Sequence, residues 1–75
     1  MNENAFVRVE IGLDGGQILS ILVMPASADA LEASLGAGAL GALGLEAQDG
    51  HIILVLSRVL YAKRFARGTR VGFEA

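Results

Sequence analysis

From Phe6 to Leu13 apolar and polar residues alternate: Val7, Val9, Ile11 and Leu13 fall on one face, Arg8, Glu10 and Gly12 on the other. A period of two with β-branched residues predicts a half-buried strand over 6–13. Asp14-Gly15-Gly16 follows, a hairpin signal because such positions tolerate positive φ. Residues 17–24 form the return strand, and it is apolar on both faces. Pro25 ends it. Ser27 is placed as a helix N-cap, with Asp29 and Glu32 in the first turn, where the helix dipole favours acids. Leu31, Leu35, Ala39 and Leu43 continue a helical stripe, so a helix is predicted over 28–41, weakened in its second half by Gly36, Gly38 and Gly41.

Gln48-Asp49-Gly50 reads as a turn, His51 to Ser57 as a strand with five consecutive apolar residues, and Ser57-Arg58 as a bend. Val59 to Phe65 resumes as a strand. Arg67-Gly68 is a second hairpin turn, and Thr69 to Glu74 a last strand with Val71 and Phe73 on one face. The predicted order is β-β-α-β-β-β. It implies an α+β class and a single small domain, 1–75, with an antiparallel sheet of four to five strands and one helix on one face. Nothing in the chain covers the second face of 18–24 and 52–56. Ile53 and Val55 are therefore expected to be buried, along with Ile52, Leu54 and Leu56, in an assembled protein.

Composition sharpens that expectation. Seventy-five residues with 53% hydrophobic content and no cysteine leave oligomerisation as the usual compensation for a small core. The uncharged stretches 15–28 and 33–45 fall short of the roughly 18–20 apolar residues that span a bilayer. Met1-Asn2-Glu3-Asn4 carries no basic region before an apolar core, so a cytoplasmic setting without membrane contact is expected.

The net charge of −2 conceals a segregation. Seven of the eight acids and one base, Arg8, precede position 51, a balance of −6; five bases and Glu74 follow, a balance of +4. Arg58, Lys63, Arg64, Arg67 and Arg70 interleave with Tyr61 and Phe65, and Tyr61, Lys63 and Phe65 share a face of a regular strand. Bases and aromatics on strands suit a single-stranded nucleic-acid platform, where charge follows phosphates and rings stack on bases. The acidic total argues the other way, because nucleic-acid domains usually carry a positive excess. A basic patch on an acidic chain also fits an acidic patch on its own copy or on another protein.

Other chemistry has little support. Gly36-Ala37-Gly38-Ala39-Leu40-Gly41 has the G-x-G-x-x-G spacing, but dinucleotide binding needs it directly after a strand and ahead of a helix. The simpler reading is that small residues let the helix end lie close on the sheet or on a copy. His51 is the only imidazole, and no serine sits in a nucleophile-elbow pattern. Asp29 and Glu32, three apart, suit a helix dipole better than acid–base work.

The segment order resembles a family of short actinobacterial proteins classed as a domain of unknown function. The resemblance runs through Val7-Arg-Val-Glu-Ile-Gly12, the Ser-led helix 27–33, Gly50-His51-Ile-Ile-Leu-Val55 and Val59-Leu60-Tyr61. It closes on Arg70-Val71-Gly72-Phe73. The family has acids near the tyrosine where this chain has Lys63-Arg64, so the basic cluster is this chain's own feature. The resemblance implies no activity. The expectation is a non-enzymatic interaction module, a homo-oligomer or a small subunit of a larger assembly. It needs no cofactor, metal or small-molecule substrate. A nucleic-acid adaptor using Arg58, Tyr61, Lys63, Arg64, Phe65, Arg67 and Arg70 is the alternative.

Overall fold

The alternation that predicts the first strand also decides which side of it meets the core. In a computed structural model describing residues 5–66, β1 spans Val7–Leu13, and Val7, Val9 and Ile11 are buried on one face. It turns through Asp14-Gly15-Gly16 into β2, Ile18–Val23, with Leu13 N–H donating to the Gln17 carbonyl at 2.8 Å. Pairing runs from Val7↔Val23 to Gly12↔Ile18.

The helix α1, Pro25–Gly36, starts earlier and ends earlier than predicted. Pro25 is the first helical residue, where its missing N–H costs nothing and its fixed φ suits the helix. Met24 is the N-cap, without a side-chain cap bond, and Ser27 lies inside the helix. Asp29 and Glu32 are consequently beyond the first turn. The end is a Schellman motif. Gly38 N–H donates to the Leu35 carbonyl at 3.1 Å and Ala39 N–H to the Ser34 carbonyl at 2.9 Å. Gly38 supplies the left-handed φ of 68° that closes it. The glycine run is turn chemistry: space at Gly36, Gly38 and Gly41 is open, so they do not mark a close approach to the sheet.

A strand not expected over these residues follows. β3, Ala42–Ala47, turns through Gln48-Asp49 into β4, Gly50–Val55. Leu43, Leu45 and Ala47 alternate with Ala42, Gly44 and Glu46, and Leu45 is fully buried. Leucine and alanine favour helix, and Leu43 also fits the helical stripe of Leu31 and Leu35, which masks the period of two here. A single 3-10 turn, Leu56–Arg58, then leads to β5, Val59–Arg64. The predicted bend at Ser57-Arg58 is this turn. Arg67-Gly68 and the strand predicted over 69–74 lie outside the described residues.

The fold is α+β, with the order β-β-α-β-β-β and one antiparallel sheet whose strands run β4-β3-β2-β1-β5. Ala28 and Leu31 of α1 join Val9, Ile11, Val23, Leu45 and Leu54 in one core. The β3–β4 hairpin is attached to β2 only near Val23↔Ala47, flanked by Met24 N–H to the Glu46 carbonyl and Gln48 N–H to the Leu22 carbonyl. It curls away from there. Ile52, Ile53, Leu54 and Val55 of β4 share a hollow of about 420 Å³ with Leu13, Gln17 and Leu19 of the first hairpin. The 3-10 turn spans the mouth of this curl, with Leu56 N–H donating to the Gly41 carbonyl at 2.8 Å and Asp14 N–H to the Arg58 carbonyl at 2.9 Å.

Candidate interaction surface

β5 crosses the molecule to pair with β1, and that pairing determines where the basic residues go. Its register is Val9↔Arg64, Glu10↔Lys63, Ile11↔Ala62 and Gly12↔Tyr61, with a bulge at Leu60 before Leu13↔Val59. Tyr61 and Lys63 therefore stand on the outer face with Arg8 and Glu10, while Arg64 points to the helix side. The Tyr61 ring lies flat on Gly12, where a Cβ would collide with it.

The outer strip is tightly connected. Tyr61 O–H donates to Glu10 Oε2 at 2.7 Å. That bond to a carboxylate, with lesser desolvation and the Glu10 charge, raises the phenol above its ordinary pKa. Arg8 and Lys63 sit 5.2 and 4.6 Å from the Phe65 ring centroid. Phe65 N–H donates to the Arg8 carbonyl at 3.0 Å, which continues the strand pairing for one more residue.

The other bases are engaged elsewhere. Arg64 Nη1 donates to Asp29 Oδ1 at 2.7 Å and to Glu32 Oε1 at 3.4 Å. Chiefly the Asp29 bond holds its guanidinium above the already high arginine pKa, with Glu32 adding to it. This bridge roofs a groove of about 340 Å³ floored by Val9, Ala28, Leu31 and Ala62. Arg58 Nη1 donates to Asp14 Oδ2 at 3.1 Å. The charge segregation along the sequence is thus paired in part within the fold: Arg58 and Arg64 meet acids 32 to 44 positions away. Of the predicted partner-binding residues, Tyr61, Lys63 and Phe65 come together, Arg64 and Arg58 stand apart on separate ion pairs, and Arg67 and Arg70 lie outside the described residues. Arg8 and Glu10 complete the strip. Their outward face was legible in the alternation of 6–13, but nothing local announces that β5 will lie beside β1.

His51 binds Glu46, with Nδ1 and Oε2 2.7 Å apart on the exposed face of the β3–β4 hairpin. Among the described residues no three His, Asp or Glu side chains converge as a metal site would require. Ser27 has a structural role: its Oγ accepts the Glu46 N–H at 2.9 Å. That N–H faces outward because β2 has already turned into the helix.

The second notable surface is β4. Leu54 is buried and Ile52 half-buried, whereas Ile53 is 69% and Val55 50% exposed. A single chain therefore buries one face of this strand. Ile18 and Leu22 of β2 are likewise exposed. No helix among the described residues is long and apolar enough to cross a membrane. Comparison with models of known families, with curated proteins and with solved structures finds no match.

Proposed function

We propose that this protein is a non-enzymatic interaction module that acts as a self-associating subunit, alone or within a larger assembly, in the cytoplasm. The observation that carries the reading is the exposure of large aliphatic side chains on the sheet: Ile18, Ile53, Val55 and Leu60 all stand in solvent. Large aliphatic side chains left in water on a domain this small fit an interaction surface. The driving force is apolar burial. Arg64 is held by both Asp29 and Glu32, which leaves less charge for a partner than the sequence suggests. Light scattering on the full chain tests it: a mass above 7.8 kDa that falls on dilution is expected, and a constant monomer mass rejects it.

A nucleic-acid reading rests on Arg8, Tyr61, Lys63 and Phe65 sharing one face. Glu10 within that strip and the cations already over Phe65 weigh against it, since a stacking base needs the ring face free. Titration with single-stranded oligonucleotides decides between the two. Log affinity falling linearly with log salt would support the platform.

A further inference from the structure

We infer that β4 is the seam of a two-fold dimer, pairing antiparallel with β4 of a second copy about Ile53. The inference rests on the assembly reading above and adds where and how the copies meet.

The first argument is backbone satisfaction. The two-residue turn Gln48-Asp49 makes Ala47 and Gly50 the first hydrogen-bonded pair of the hairpin. Bonded pairs then recur at Leu45↔Ile52 and Leu43↔Leu54. The main-chain N–H and C=O groups of His51, Ile53 and Val55 consequently point away from β3. Glu46, opposite His51, confirms this alternation on its own strand: its carbonyl accepts from Met24 and its N–H donates to Ser27, both away from β4. Among the described residues no strand lies on the outer side of β4. An antiparallel β4 centred on Ile53 sets His51 against the partner's Val55, Ile53 against Ile53, and Val55 against His51. All three are hydrogen-bonded positions.

Side chains and charge point the same way. The strand Gly50–Val55 contains no Lys, Arg, Asp or Glu, the devices that normally keep sheet edges apart. The hollow of about 420 Å³ runs beside this edge, next to the half-buried Ile52. The strand is also preceded by Asp49 and followed by Arg58. Antiparallel pairing brings each Asp49 close to the partner's Arg58, twice over by symmetry; parallel pairing would set like beside like. Asp49 makes no ion pair among the described residues, and Arg58 is well exposed beside Asp14. This charge order selects a second copy, antiparallel, as the occupant.

The test uses the full chain in sedimentation velocity, with circular dichroism as the check on folding. Ile53→Lys, at an exposed site, is expected to keep the native spectrum and weaken dimerisation on the order of tenfold or more. Asp49→Arg and Arg58→Glu are each expected to dimerise poorly alone. An equimolar mixture should recover the wild-type mass, because both cross-seam pairs are then opposite in charge. A wild-type oligomer that survives Ile53→Lys, or variants that do not rescue each other, overturns the β4 seam while leaving self-association standing. A monomeric wild type overturns both.

Discussion

β4 and β5 occupy the two ends of the strand order, and both are six residues long. Their chemistry is opposite. β5 carries Lys63 and Arg64, a bulge at Leu60, and a tyrosine tied to Glu10. β4 is uncharged and regular, with two aliphatic side chains in water. Charges and bulges on an end strand discourage further pairing, and their absence invites it. The comparison therefore assigns different tasks to the two ends. β5 ties the acidic first half of the chain to the basic second half, and β4 is the end on which the proposed dimer seam rests.

The sharpest way to break this contrast is to place a charge on either face of β4. Leu54→Asp buries a carboxylate in the core at a cost on the order of 4 kcal/mol or more. A chain of this size has only about 5–10 kcal/mol of stability, so most of it should be lost. Ile53→Asp, one residue away, should leave the melting temperature of the isolated chain close to the wild-type value and lower only its solution mass. Equal effects of the two changes on melting would show that both faces of β4 are buried within one chain.

At the other end, Gly12→Ala tests how firmly β5 is held. The new methyl would meet the Tyr61 ring. The ring must move off Glu10, or the strands must part, which costs about 1–3 kcal/mol. Chemical denaturation should report that loss. The same substitution should not alter oligomer mass, because it lies two strands from the β3–β4 hairpin. A lost dimer with unchanged stability would reverse the roles assigned to the two ends.

Much of this organisation was legible along the chain, for local reasons. The hairpin at Asp14-Gly15-Gly16, the turn at Gln48-Asp49 and the bend at Ser57-Arg58 follow from residue types that favour those conformations, and β1 from its strict alternation. β3 was not legible. Its Ala, Leu and Glu residues favour helix, and only the turn that follows fixes its hand-over to β4. The helix start differs from the expectation because Pro25, expected only to end the strand, takes the first helical position in place of a cap at Ser27. The serine hydroxyl is left to satisfy Glu46 N–H. The surface was harder still. Which acids meet Arg58 and Arg64 depends on the crossing from β4 to β5, a long-range event with no local signature. Gly12 looks like a polar-face gap in β1, and only the pairing with β5 makes it the seat of an aromatic ring.

The smallest effect is also the cleanest to read. Tyr61 is the only tyrosine, and the chain has no tryptophan, so ultraviolet absorbance near 295 nm follows one phenol. In the folded chain its hydrogen bond to Glu10 raises its pKa above the ordinary 10.0. The protonated form is favoured by folding, so the stabilisation is fully present below the unfolded pKa and is lost as pH rises through the folded one. Alkaline titration should give a midpoint above 10.0 in the native protein. In Glu10→Gln the midpoint should fall back toward that ordinary value, because the neutral amide accepts a weaker hydrogen bond from the phenol, can turn its N–H groups to the phenolate, and does not repel it. An unshifted midpoint in the wild type would separate Tyr61 from Glu10, and with it the link by which β5 is bound to the outer face of β1.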